Sequence, residues 1–255
     1  MNSRGTPAVD AALAWIRGSA LPLWHLHGWD ARRGGFIERF DAAGNAEADA
    51  PRRMRVQARQ IYVYAHAALL GWYEPAASLA LDGFAWLIDH CWARDGRPGF
   101  AHLVGADGGL ADGRRDAYDQ AFGLLALAWV YRLRPDAQVR GLIDAELAYL
   151  DSVFEDGTHG GWFESDPPAL PRRQNPQMHA FEAMLALHEA TGESLDQRLA
   201  QEEPEVDPYQ AAASDDDETL DDGQVGSARA GRLVDPDAGF GEDVEDELIG
   251  EDVGI

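Results

Sequence analysis

The residues best equipped for chemistry lie in one run, Arg172-Arg173-Gln174-Asn175-Pro176-Gln177-Met178-His179-Ala180-Phe181-Glu182-Ala183, which continues through Met184-Leu185-Ala186-Leu187 to Thr191-Gly192. Asn175 before Pro176 reads as a helix start. The Asn side chain accepts from orphan first-turn amides, and Pro at the first helical position gives up no hydrogen bond. Gly192 is the matching stop. Asn175, His179, Glu182 and Ala183 then share one stripe, while Phe181, Met184, Leu185 and Leu187 are expected to enter a core. An amide, an imidazole and a carboxylate thus gather near one helix mouth, with two arginines just upstream. By itself such a grouping fits a satisfied structural cluster as well as it fits a site.

The elements that must position these groups repeat along the chain. Apolar spacing predicts helices over Val9–Leu21, Arg55–Trp72, Pro75–Cys91, Ala117–Leu133 and Pro135–Phe154, before the helix that holds His179. Three loops carry a glycine followed by an aromatic, Gly35-Phe36, Gly99-Phe100 and Gly161-Trp162, spaced 64 and 62 residues apart. Each loop leads into a helix, a turn and a second helix. Such units predict an all-α toroid or solenoid of helical hairpins, with the loops at one rim and the Gly-Gly-aromatic pieces as small β-hairpins there. Arg59, Tyr118 with Asp119, and His179 lie near the starts of the first helices and are expected at matching places facing a common axis. Polar groups at the hub of an apolar ring need partners or a ligand.

Composition excludes several classes. The net charge is -24, of which -17 falls in residues 201–255 and only -7 in residues 1–200. No basic patch stands out for nucleic acid, and no long apolar run or signal sequence marks a membrane or secreted protein, so a cytoplasmic location is the default expectation. The single Cys91, in an apolar stretch, reads as a buried small hydrophobe. His25 and His27 sit two apart without further ligands at zinc spacing, so no metal is expected. His66 reads as a packing residue and His102 as a hydrogen-bonded loop residue. Trp24, Trp29, Phe36 and Trp162 either stack on a ligand or plug the end of the ring.

Three segments carry a resemblance to a known family. Arg55-Val56-Gln57-Ala58-Arg59-Gln60-Ile61-Tyr62, Ala117-Tyr118-Asp119-Gln120-Ala121-Phe122 and Gln174-Asn175-Pro176-Gln177-Met178-His179-Ala180-Phe181-Glu182-Ala183 resemble motifs of the N-acylglucosamine 2-epimerase family, in the same order. That family includes mannose-type aldose-ketose isomerases and cellobiose 2-epimerases. The resemblance covers residues 9–193 and implies half of a barrel of six helical hairpins with a sugar in the central pocket. It implies sugar contacts for Arg59, Tyr118, Asn175 and His179, to which Glu182 is added from its stripe. The implied reaction removes a proton beside the carbonyl of an open-chain aldose and returns it to the same or the neighbouring carbon, without a cofactor. Imidazole suits the base and Arg59 the stabilisation of an enediolate oxygen. Family members carry two acid–base histidines in a second half, one in a Gly-His-x-x-Glu motif. No histidine follows His188 here, and His179 matches a third, supporting one.

Residues 1–195 are therefore expected to form a partial barrel, and residues 196–255 an acidic, disordered tail. The family-like pattern stops soon after Gly192, within a repeat, which favours a frameshift over a genuine solvated tail. Two other functions fit the sequence: a non-catalytic sugar-binding or interaction remnant, and a glycoside hydrolase using Asp116, Asp119 or Glu182. A half-ring would expose apolar flanks, and pairing of two copies through them is expected to set two His179 side chains in one pocket.

Overall fold

The computed structural model describes residues 7–192, 232–234 and 249–251. The chain divides into two units, Met1–Thr191 and Gly192–Ile255. Most of the expected acidic tail lies outside the described residues. What is described of it is an antiparallel pair, β6 (Arg232–Val234) with β7 (Ile249–Glu251), in which Leu233 pairs with Gly250.

The first unit is helical. It opens with α1 (Pro7–Trp15), a π-helical turn (Ile16–Ala20) and α2 (Leu21–Gly28), which together make one helix. The end expected at Leu21 is not there. The Leu21 amide reaches back five residues to the Ile16 carbonyl, and Pro22 falls in the first turn after this wide turn, where its missing N–H removes no α-helical bond. The stretch from Trp24 to Gly28 is therefore helix, where a loop was expected.

Three helices form the inner layer: α3 (Met54–Leu69), α5 (Ala117–Leu133) and α7 (Gln174–Thr191), with α5 packed between the other two. The outer helices α4 (Ala76–Cys91) and α6 (Ala137–Tyr149), the latter extended by a π-helical turn (Leu150–Phe154), pack behind α3 and α5. Side-chain caps fix two starts: the Asp116 carboxylate accepts from the Asp119 amide, and that of Asp136 from the Gln138 amide. Helix α7 begins at Gln174, so Asn175 stands inside the first turn and is not its cap. Pro176 is tolerated there because first-turn amides have no helical acceptor. Gly192, at φ 78°, ends the helix as expected.

At the rim, β1 (Arg52–Arg53), β2 (Leu103–Val104) and β3 (Leu110–Asp112) form an antiparallel sheet, and β4 (Arg115–Asp116) pairs with β5 (Ser165–Asp166). Two of these strands, β1 and β4, run directly into inner helices. The Gly-aromatic pieces are minimal hairpins, each closed by a single antiparallel bridge, Trp29 to Phe36, Trp92 to Phe100 and Glu155 to Trp162.

Each bridge is locked by the same device. A glutamine near the start of the inner helix accepts from the aromatic residue's amide and donates to its carbonyl: Gln57 on Phe36 (2.7 and 2.7 Å), Gln120 on Phe100 (2.7 and 2.9 Å) and Gln177 on Trp162 (3.3 and 2.8 Å). Five residues before each glutamine an arginine pairs with a loop aspartate: Arg52 with Asp30 (2.6 Å), Arg115 with Asp95 (2.7 Å) and Arg172 with Asp156 (3.3 Å). Gly99 is required by this geometry, because its φ is 77° and a Cβ would meet Tyr149 at 2.3 Å. The core fills with Phe36, Ile61, Tyr64, Phe100, Leu124, Leu127 and Phe154. Of the α7 residues expected in it only Leu187 is buried; Phe181 and Leu185 are exposed, because no helix packs on that side of α7 among the described residues.

Candidate functional site

The glutamine clamps give the register of the three hairpins. Arg59 and His179 each lie two residues after their glutamine, and Phe122 occupies that place in the second hairpin. Tyr118, two residues before Gln120, is thus not at the matching position, which corrects the expected alignment. It reaches the same spot from one turn earlier.

These side chains meet on the concave face of the half-ring. Arg59 Nη2 donates to the Tyr118 hydroxyl at 2.5 Å, and its guanidinium lies 4.2 Å from the Phe122 ring centre. The His179 ring sits 4.7 Å from Phe122 and 5.2 Å from Tyr118, so Phe122 separates the cation from the imidazole. Glu182 Oε2 lies 2.8 Å from His179 Nδ1. A carboxylate only accepts, so Nδ1 carries the proton of the neutral ring and Nε2 keeps its lone pair.

The groove in front of them has a volume of about 600 Å³ and is walled by Tyr62, Leu125, Trp129 and Leu185, besides Arg59, Phe122, His179 and Glu182. Tyr62 and Trp129 meet edge to face at 5.0 Å. Burial raises the Tyr62 pKa, with the Glu182 charge adding to it, so the phenol stays protonated as a donor. Asn175, half-buried one turn before His179, does not line the groove, and Ala183 turns away into the contact with α5.

Behind the groove lies an ion cluster that residue spacing did not reveal. His102 Nδ1 contacts Asp119 Oδ2 at 2.5 Å, and Arg114 Nη2 contacts His102 Nε2 at 2.5 Å. Since a guanidinium only donates, Nε2 accepts and Nδ1–H points at Asp119. The other Asp119 oxygen is 3.7 Å from Arg55 Nη1, and the Arg55 guanidinium lies over the Tyr118 ring at 5.3 Å. Asp116, 3.6 Å from His102, is pushed up to about 6 by burial and by the Asp119 charge. Donor atoms of His102, Asp116 and Asp119 lie within 4.8 Å of one another, but Arg55 and Arg114 already balance the two carboxylates.

Other sequence expectations resolve as follows. His66 packs against Trp129 at 4.3 Å, with its pKa lowered by burial and then by Arg132, as a packing histidine should be. His25 bonds Tyr73 at 2.7 Å, and His159 bonds Asp156 at 3.1 Å. Phe36 is fully buried in the core, stacked on Tyr64, whereas the aromatics that face the groove, Tyr62 and Trp129, come from inner helices. The missed signal was the Arg-x4-Gln spacing repeated before Gln57, Gln120 and Gln177.

Three inner helices backed by outer ones, with a polar and aromatic groove on the inside, define half of an α/α toroid. Residues 35–203 match the N-acylglucosamine 2-epimerase (GlcNAc 2-epimerase) family, and the chain belongs to that family. It is 39% identical over 182 residues to a mannose-6-phosphate isomerase of Rhizobium meliloti (strain 1021), covering 70% of this chain and 46% of that one. Among solved structures, cellobiose 2-epimerase from Spirochaeta thermophila DSM 6192 aligns with a TM-score of 0.62 at 23% identity, over 74% of this chain and 52% of that one. A D-mannose isomerase aligns with a TM-score of 0.64 at 22% identity, over 73% and 48%. The chain thus spans about half the length of the relatives it matches. Residues 224–255 match a second family, one of unknown function (DUF5709).

Proposed function

We propose that the chain carries the carbonyl-binding half of a sugar epimerase or aldose-ketose isomerase site. The Arg59–Tyr118 pair, joined at 2.5 Å beside an imidazole whose free nitrogen is set by Glu182, is the observation that carries this reading. An open-chain aldose lies along the groove, with C–H faces against Tyr62 and Trp129 and its C1 and C2 oxygens toward Arg59 and Tyr118. A guanidinium and a phenol there stabilise the enediolate that forms when the C2 proton leaves. His179 Nε2 is positioned to accept that proton, with Glu182 holding the ring and stabilising the imidazolium. Return to the opposite face of C2 gives an epimer and needs an acid on the far side of the sugar, which one half-ring does not supply; return to C1 on the same face gives a ketose, and the protonated His179 itself can complete it. Mannose is the substrate to try first, since two of the relatives are named for mannose or its phosphate.

The hydrolase alternative has less support. Asp119 is fully buried against His102 and Glu182 is engaged with His179, while Asp116, though raised to about 6, caps α5 beside Arg114 and does not line the groove, so no pair of carboxyls faces a glycosidic oxygen there. A stretch translated in an accidental frame has no reason to match a family, so the match over residues 224–255 supports a genuine acidic segment. The test of the sugar reading is loss of the C2 proton signal of mannose in deuterated water, followed by NMR. Exchange that disappears in His179→Ala and Arg59→Ala is the expected result. Neither binding nor exchange by the folded protein, with any hexose tried, would overturn it.

A further inference from the structure

The half-ring has two open edges of opposite shape. On α7, successive residues turn by about 100°, so its side chains fall into three stripes. Pro176, Ala180, Ala183 and Leu187 are buried toward α5, and His179, Glu182, Ala186 and Glu189 line the groove. The next stripe holds Met178, Phe181 and Leu185, which are 45%, 64% and 47% exposed. Large apolar side chains in a row at helical spacing, opposite the helix's packed side, form a convex unpartnered edge.

The other edge is concave. Beside α3, a second groove of about 470 Å³ runs between that helix and the N-terminal helix, lined by Ile16, Leu21, Trp24, Val63, Ala67 and Trp72. Val63 also lines the sugar groove, so it stands on the ridge between the two hollows. Arg17 stacks over Trp72 at 4.9 Å at this edge and has no carboxylate within reach among the described residues, while the acidic groups nearest the α7 stripe, Glu182 and Glu189, are paired with His179 and Arg132.

We propose that two copies of this chain close a ring edge to edge, the Met178–Phe181–Leu185 stripe of each seated in the groove beside α3 of the other. A two-fold axis through the ring makes both contacts at once and leaves no edge for further growth. The ring then has six inner helices, in keeping with relatives about twice as long as the matched part of this chain. Two copies of Arg59, each held by its Tyr118, and of His179 then face one cavity, so the second His179 supplies the far-side acid that epimerisation needs. This last step rests on the sugar reading; the pairing of edges does not.

The test is made on the full chain. Sedimentation equilibrium should give a dimer, and Phe181→Glu should weaken it at least tenfold. Val63→Cys with Phe181→Cys in one chain should give, on oxidation, a covalent dimer and nothing larger, whereas Phe181→Cys alone should not crosslink; Cys91 is fully buried and does not interfere. A monomer at all concentrations overturns the proposal and assigns the edges to later residues of this chain or to another protein. So do a ladder of higher oligomers and efficient crosslinking of Phe181→Cys alone. A crosslinked dimer that neither binds sugar nor exchanges C2 protons keeps the ring and removes the sugar reading. Exchange by a strict monomer keeps the sugar reading and removes the ring.

Discussion

Arg59 is held in two ways, by the Tyr118 hydroxyl and by the Phe122 face, so its charge is pre-aimed before any ligand arrives. A charge-assisted hydrogen bond is worth about 1.5–3 kcal/mol, so Arg59→Ala should weaken mannose binding ~10- to 100-fold by calorimetry. Arg59→Lys should recover only part, because an ammonium lacks the planar fork. A variant binding like the wild type would remove Arg59 from the site. A second residue-scale effect concerns stability. Glu146 is fully buried on α6 with neither oxygen hydrogen-bonded, and burial pushes its pKa up to about 8, offset only in part by Arg115. The folded state keeps this proton where the unfolded chain, near 4.5, has lost it. Stability is therefore whole below the unfolded value and falls as pH rises toward about 8, by about 1.4 kcal/mol per pH unit from this group. Glu146→Gln should remove that slope, so in urea unfolding its advantage over wild type should widen from pH 5 to pH 8. A constant gap would mean that an unseen partner holds the carboxylate.

At the scale of elements, the fold depends on how each loop is tied to its inner helix. Gln120 satisfies both backbone groups of buried Phe100, so Gln120→Leu leaves an N–H and a C=O unpaired in the core. Each such group costs about 1–3 kcal/mol, so a loss of at least ~2 kcal/mol in denaturant unfolding is expected. Gln177→Leu should cost less, since its loop at Trp162 is half-exposed and its amide contact is longer. The amphipathic helices α3, α4, α5 and α6 were legible within a few residues, because their apolar faces are continuous and their ends carry Asp, Pro or Gly signals. The N-terminal helix was not, because a π-helical turn lets it pass Pro22, and nothing in apolar spacing announces that turn. That Arg59 and His179 take matching places followed from the repeat, whereas Tyr118 joins them from one turn out of register. The Gln clamps and the His102–Asp119 pair did not, because their partners are brought together only by tertiary structure. Phe181 and Leu185 were misplaced because periodicity marks an apolar stripe without saying what covers it.

The whole molecule carries two opposing tendencies, apolar edges that favour association and a net charge of -24 that opposes it. Most of that charge, -17, lies in residues 201–255, so two copies repel chiefly through this segment. Exposed ion pairs contribute about 0–1 kcal/mol and are themselves screened, so the net repulsion decides the sign of the salt effect. Raising ionic strength from about 0.01 to 1 M shortens the Debye length from about 30 to 3 Å. Self-association of the full chain, followed by sedimentation, should therefore strengthen with added salt. A chain ending at residue 200 retains only -7, so it should associate more tightly at low salt and respond much less to its addition. Salt that loosens the full-length assembly would show that ion pairs hold the edges, against the apolar contact argued from Phe181 and the groove beside α3. Equal salt responses of the two chains would place the repulsion within residues 1–200, leaving the acidic segment no part in setting the assembly's strength.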